Sequence, residues 1–444
     1  MSPQNRSGGF GVANAAVTSV AQQISNLGGR PKWTGIAWIW LGVSIAAAGQ
    51  ELRLRDLVSE ALTNNREILA AQKSYEAARQ RPSQVSSLPD PMFSPGWTSN
   101  GYPWPGAQLG TSPTSAIGFM VAQELPYPGK RGLRGQISAK DAEAEFQSYQ
   151  AIQLSVVSRL KQAYYRLTYD YSAISVLERN RALLDRLLSI TETRYSVGRA
   201  AQQDVFKTQT QISLLEVKRI QLQRDRAARE AEINSLLNRR PGQMLDPPAE
   251  LKPQEFVRSL DELYSIASKQ APMLTRDQKM IERAELAVNL AHKDYMPDFA
   301  VSGGYFNQGS MSPMYQFRLD ITLPMYYQRK QRAALTEQTQ MLTQARRTYE
   351  AANQTLHFQI QDQFLLVEAS WKLLQLYSTT TVPQASLAFE SSLSSYETGT
   401  VDFLSVLTNY MSVLDYELNY YEETQNYYLA LAQLEEMTGT SLIP

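Results

Sequence analysis

Tyr315-Gln316-Phe317-Arg318-Leu319-Asp320-Ile321-Thr322-Leu323 carries an apolar side chain at every odd position and a polar one at every even position. A period of two marks a strand with one oily face and one wet face. Ile117, Phe119 and Val121 alternate with Gly118, Met120 and Ala122 in the same way, and each of these two strands has a candidate partner upstream. One partner, near 92–100, contains Phe93 and Trp97; the other, near 298–307, contains Phe299, Val301 and Tyr305. The intervening segments, 101–113 and 308–313, are rich in glycine, proline and serine, as turns require. Four strands are therefore expected, near 91–100, 115–125, 298–307 and 315–324. Each is about ten residues long, which suits a tilted strand crossing a bilayer.

Four strands cannot close a barrel, and lipid does not tolerate open sheet edges. The strands of several chains must then be pooled. Three chains would supply twelve, an even number in the range of outer-membrane barrels, whereas two would supply a tight eight with little lumen. In such a barrel Arg318 and Asp320 would face a water-filled interior. The rival reading is a soluble sandwich with one wet face.

Outward from the strands the pattern turns helical. Residues 136–197 contain neither glycine nor proline, a run of about 60 residues that would measure roughly 90 Å as one helix. Residues 325–382 repeat the feature. Val156, Leu160, Ala163, Leu167, Tyr171, Ile174 and Leu177 keep the three-and-four spacing of a helix seam, with polar residues elsewhere, so these helices are expected to stand in water against helical neighbours. They end alike, at Tyr195-Ser196-Val197-Gly198 and Tyr396-Glu397-Thr398-Gly399, where glycine suits a helix C-terminus or tight turn. Pro89-Asp90 likewise matches Pro297-Asp298, and Leu125-Pro126 matches Leu323-Pro324. The near-constant spacing of about 200 residues predicts an internal duplication into two structural halves. We expect halves at about 50–240 and 258–444, joined by a linker at 241–257 that is rich in proline and charge.

Composition excludes several classes. Lysine plus arginine equals aspartate plus glutamate at 43 each, which gives nucleic acid no electrostatic footing. The absence of cysteine removes disulfides, thiolate metal sites, thiol nucleophiles and a lipidated N-terminal cysteine. His292 and His357 stand far apart in helical stretches and read as ordinary helix-face residues. No nucleotide-binding glycine loop, paired His-Glu metal motif or nucleophile with a base is present, so no catalytic residue, metal site or cofactor is expected. Arg30 and Lys32, the apolar run at 33–48 and Ala46-Ala47-Ala48-Gly49-Gln50 read as a secretory signal, making 1–49 a signal with its upstream segment. A membrane anchor is the alternative for that stretch. Beyond it no apolar run approaches the ~20 residues of a spanning helix, so strands must carry the chain into a membrane.

These residues together resemble the TolC-like outer-membrane efflux proteins, over nearly everything from about Leu54 to Thr438. The resemblance is carried by an opening helix at 57–69, Pro89-Asp90, Gln123-Glu124-Leu125-Pro126-Tyr127-Pro128-Gly129-Lys130-Arg131, the tip at 195–198, and the segment 396–407. The Pro-Gly-Lys-Arg segment is similar to the heavy-metal and cation efflux subgroup. The resemblance implies a homotrimer in the bacterial outer membrane, a twelve-stranded β-barrel continued by a periplasmic α-helical barrel. It implies a periplasmic adaptor and an inner-membrane pump, of the resistance-nodulation-division type, and a passive conduit for small solutes such as metal cations or drugs. A type I protein-secretion duct uses the same conduit and stays open as an alternative, as does a periplasmic coiled-coil scaffold.

In that family the hairpin tips receive the adaptor, which here points to Tyr195, Val197 and Gly198, and to Tyr396, Thr398 and Gly399. Arg199 and Thr400 depart from the family pattern after each glycine, implying more polar docking. Family members commonly carry an aspartate ring at the periplasmic mouth. The matching position is Ser405, with Asp204 its counterpart in the first half, and Asp402 one helical turn earlier could supply a ring of carboxylates. The plainer readings are that the glycines only turn the chain and that the aspartates are solvated or capping residues.

Overall fold

The computed structural model describes residues 52–101 and 103–442, so the expected signal at 1–49 lies outside the described residues. The opening helix expected at 57–69 is two helices, α1 (Leu54–Asn64) and α2 (Arg66–Ala78). Asn65 makes the break: its backbone is extended, its side-chain oxygen accepts from the amides of Glu67 and Ile68, and its amide group donates to the Leu236 carbonyl at 2.8 Å. Apolar periodicity runs across this junction unbroken, which hides an N-cap that the Asn itself supplies. A short α3 (Arg81–Ser86) leads to β1 (Met92–Thr98) and β2 (Ala116–Leu125).

From the end of β2 the chain enters α4 (Lys130–Ser196), 67 residues that rise about 100 Å. It returns by α5 (Gln202–Leu236). The second half runs α6 (Leu260–Gln270), α7 (Pro272–Lys293), β3 (Asp298–Asn307), β4 (Met314–Thr322), α8 (Gln331–Leu376), α9 (Val382–Thr398) and α10 (Phe403–Thr438). The second long helix thus differs from the 325–382 expectation at both ends. Residues 325–330 are turns, and five residues of π-helix, Tyr377–Thr381, join α8 to α9. Pro383 explains the join: it has no N–H and its ring crowds the preceding turn, and the widened π turn relieves both so that the helix continues to its tip.

The strands form one antiparallel sheet in the order β1-β2-β3-β4, each within two residues of its expected limits. The central β2–β3 pairing joins the two halves of the chain, while β1 and β4 are its edges. Packing is concentrated in two clusters stacked along α4. One gathers Leu57, Ile68, Val156, Leu160, Tyr165, Leu167, Ile233, Leu263, Ile360 and Leu431; the other gathers Val176, Leu184, Leu187, Leu215, Phe389, Leu393, Val406 and Tyr410. Of the expected seam, Val156, Leu160, Ala163, Leu167 and Leu177 lie in these clusters and Tyr171 packs against the first, while Tyr164, Tyr165, Val176, Leu184 and Leu187 join them from outside it.

Candidate functional site

The register of the sheet sorts its side chains without ambiguity, because residues paired directly across antiparallel strands share a face. Phe93, Val121, Gly303 and Phe317 form one such row, Val301 and Leu319 another, and Trp97 pairs with Ile117. This face is apolar and open: Phe317 is 88% exposed, Tyr315 72%, Leu323 63% and Leu319 60%. The opposite face carries the rows Met92, Ala122, Ser302, Arg318 and Glu124, Ala300, Asp320. Here Arg318 donates to Asp320 at 2.9 Å, both half-exposed. An exposed oily face of this breadth has no stable place in water.

An ion pair with a buried lysine fixes where the sheet meets the helices. Lys130, at the first position of α4, has a side chain only 3% exposed. Its ammonium donates to both Asp298 oxygens at 3.0 Å and to the Met296 carbonyl at 3.1 Å, and lies 3.5 Å from Asp294. Asp298 also accepts from the Tyr127 amide at 2.7 Å. The Pro-Gly-Lys-Arg segment of one half is thereby locked to the Pro-Asp of the other, a structural reason for both motifs.

At the far end of the helices the two tips lie together. Gly198 (φ +74°) and Gly399 (φ +87°) each take the left-handed conformation that ends a helix, and each tip closes with paired amide bonds to the preceding turn. Arg194, in the last turn of α4, clamps one tip to the other. Its guanidinium lies 4.6 Å from the centre of the Tyr396 ring and donates to the carbonyls of Tyr396, Glu397 (3.1 Å) and Arg199 (3.3 Å). A Cβ on Gly399 would sit 3.4 Å from that guanidinium, whereas one on Gly198 would meet open space. The matched tyrosines therefore differ: Tyr396 is buried beneath Arg194 and against Phe403, while Tyr195 and Val197 are exposed. Thr398, Arg199 and Thr400 are accessible, so the departures after each glycine leave hydroxyl and guanidinium groups at the surface. Arg194 was missed in the sequence because a lone arginine on a solvated helix has no pattern; its one signal is its place beside Tyr195 in the last turn, where a cation also complements the helix dipole.

Asp402 stands at the N-cap of α10 rather than inside a helix, exposed, and accepts from the Ser405 hydroxyl at 2.5 Å. That hydroxyl holds the Asp402 carboxyl below the usual carboxylate range. Asp204 lies in the first turn of α5 and is partly covered. Among the described residues no group of three or more potential ligands converges to hold a metal ion, and no helix is long and apolar enough to cross a membrane.

A sheet oily on one side and wet on the other, continued by helices about 100 Å long, is the architecture of a chain that meets lipid through its strands and water through its helices. The comparisons agree: the outer membrane efflux protein family model matches residues 57–239 and 263–440, and the chain belongs to that family. It is 24% identical over 283 residues to the toluene efflux pump outer membrane protein TtgC of Pseudomonas putida, covering 61% of this chain and 58% of that protein. The chain thus matches less than two thirds of the length of this relative. With the outer membrane protein TolC of Vibrio cholerae it is 23% identical, over 90% of this chain and 93% of that one. The crystal structure of the outer membrane protein VceC of Vibrio cholerae superposes with a TM-score of 0.76 at 16% identity, covering 89% of this chain and 98% of VceC.

Proposed function

We propose that the protein is the outer-membrane duct of a tripartite efflux system, in which three copies close a twelve-stranded barrel and pass small solutes from an inner-membrane pump to the exterior. The observation that carries this reading is the sheet: one continuous apolar face, one polar face, and two unpaired edges at β1 and β4. Edges that lipid cannot solvate must pair with other copies. Exposed apolar side chains on α5 (Phe206, Val217, Ile220) and on α8 and α9 (Phe358, Leu365, Leu387) supply further surface for neighbouring copies. The like order of helices and strands on either side of residues 241–257 supports reading the two parts as duplicated halves.

In the closed barrel Arg318 and Asp320 line the lumen, and no residue is assigned a catalytic role. The tips, through Tyr195, Val197, Gly198, Thr398 and Gly399, receive the periplasmic adaptor, with Tyr396 shaping the site from beneath. The pump is of the resistance-nodulation-division type and sets the cargo. The relative named for toluene efflux favours small solutes over secreted proteins as that cargo. Asp402, one per copy, contributes a ring of negative charge at the mouth.

Cross-linking in cells tests the assembly. The protein should be extracted from outer membranes only by detergent, as a trimer. A photo-crosslinker at Val197 should capture an adaptor, and Gly399→Trp should abolish capture while leaving the trimer intact. A freely soluble chain would overturn the duct, and undiminished capture by Gly399→Trp would overturn docking at the tips. Asp402→Asn should lower cation-over-anion selectivity in planar-bilayer conductance; unchanged selectivity removes the ring.

A further inference from the structure

Just past β4 the chain runs Leu323-Pro324-Met325-Tyr326-Tyr327-Gln328-Arg329-Lys330-Gln331-Arg332, between the last residues of the oily sheet face and the first turn of α8. In the duct proposed above, on which this inference rests, the segment sits at the periplasmic end of the barrel, where β4 gives way to α8. Met325 and Tyr326 are 78% and 82% exposed, and Tyr327 is half-exposed with its ring 6.5 Å from that of Tyr295. Arg329, Lys330 and Arg332 are also exposed, and among the described residues none of the three is ion-paired. Nearby carboxylates do not neutralise them: Asp294 and Asp298 are engaged by Lys130, and Glu337 comes five residues after Arg332. Most other cations of the long helices have acidic partners, as Arg346 has Glu285 and Arg347 has Glu350, so three free ones within four residues form a local excess of positive charge.

We propose that this turn is a docking surface for anionic phospholipid headgroups of the inner leaflet. The apolar and aromatic side chains continue the lipid-facing band to the depth of the membrane–water boundary, where tyrosine is at home with its ring in the acyl region and its hydroxyl among headgroups. The three cations lie one step further out, at the level of the phosphates, and their long apolar stems let the charges reach that level. Trimerisation repeats the turn three times around the barrel, giving nine cations in a collar. Attraction of a cation to an anionic surface amounts to about fivefold in binding per side chain near the surface and decays within a Debye length. The collar would thus gather phosphatidylglycerol around the duct in preference to zwitterionic lipid, and hold the tube upright at a fixed depth.

The test uses the full-length trimer in nanodiscs of phosphatidylethanolamine and phosphatidylglycerol in equal amounts, released for native mass spectrometry. The wild type should retain phosphatidylglycerol over phosphatidylethanolamine, and the combined Arg329→Gln, Lys330→Gln, Arg332→Gln variant should lose that preference. Lys207→Gln with Lys218→Gln, exposed on the tip-side half of α5, should keep it. The same spectra report trimer mass, so failure of the trimer reading is seen separately. Retention unchanged in the triple variant would overturn the proposal. So would altered ion selectivity in bilayer conductance with lipid retention unchanged, which would place the cations in the lumen.

Discussion

Arg194→Ala removes the clamp between the two helical tips, and its cost can be worked from the contacts. The guanidinium makes three hydrogen bonds to carbonyls and one stacking contact with Tyr396. A charged hydrogen bond is worth about 1.5–3 kcal/mol when sheltered, and a cation–π contact about 0.5–2 kcal/mol. Two of the bonds lie at the exposed rim and compete with water, so we take the net as about 2 kcal/mol. This is local stability, lost from the last turns of α4 and α9 while the rest of the chain stays folded. Hydrogen exchange reads it directly. The amides of Gly399 and Thr400, bonded to Tyr396 and Ser395, should exchange about 30-fold faster in the variant, since each 1.4 kcal/mol is tenfold. The amides around Leu167, buried in the other cluster, should not change. Arg194→Lys should recover less than half, because an ammonium cannot lie flat on Tyr396 and reach three carbonyls at once. Exchange at Gly399 and Thr400 within twofold of wild type would refute the clamp.

Lys130→Met strips a half-exposed Asp298 of its cation at the junction of sheet and helices; we expect a loss of about 2–4 kcal/mol, read as a lower thermal midpoint of the detergent-solubilised protein, and an unchanged midpoint would contradict the lock. On the sheet, Leu319→Arg places a charge on the lipid face at a cost of about 2–4 kcal/mol and should deplete the protein from the outer membrane, whereas Gln316→Arg on the opposite face should be tolerated; equal behaviour would erase the assignment of faces. Asp170, buried in α4 with one carboxylate oxygen unpartnered, has its pKa pushed up to about 7 by desolvation first and by the charge of Asp225 next, against the pull of Arg229 and Arg226. A carboxyl raised in the folded state favours folding at low pH and loses that contribution as pH rises toward the folded value. The gain in thermal midpoint from Asp170→Asn should therefore grow between about pH 4 and pH 7 and level off above, and a gain independent of pH would rule this out.

The strands and long helices were legible because each depends on a local period that the chain repeats many times. Alternation from Tyr315 to Leu323 needs no knowledge of neighbours, and neither does the glycine-free run of α4. What escaped depends on contacts between distant residues. Asn65 ends α1 through its own side chain and a carbonyl on α5, so the apolar pattern gave no sign of a break. The π turn before Pro383 was hidden for another reason: a proline ordinarily marks a helix boundary, and here the turn widens and the helix continues. At the tips, glycine position was readable from the repeat, but the repeat implied equal tyrosines, and only the fold shows that Arg194 buries one of them. Lys130 stood in a segment that resembles a subgroup of the family; its ion pair with Asp298 shows how such a segment can be demanded by the joint between two architectures, whatever is exported.

The unpaired edges of the sheet bear on how such a protein is made. A strand edge is a row of amides and carbonyls that hydrocarbon will not solvate, so a lone copy has no resting place inside the bilayer. For the proposed duct, entry into the membrane and association of copies is then a single event. Biogenesis acquires a steep dependence on how many chains are waiting in the periplasm, and halving synthesis would deplete finished channels by more than half.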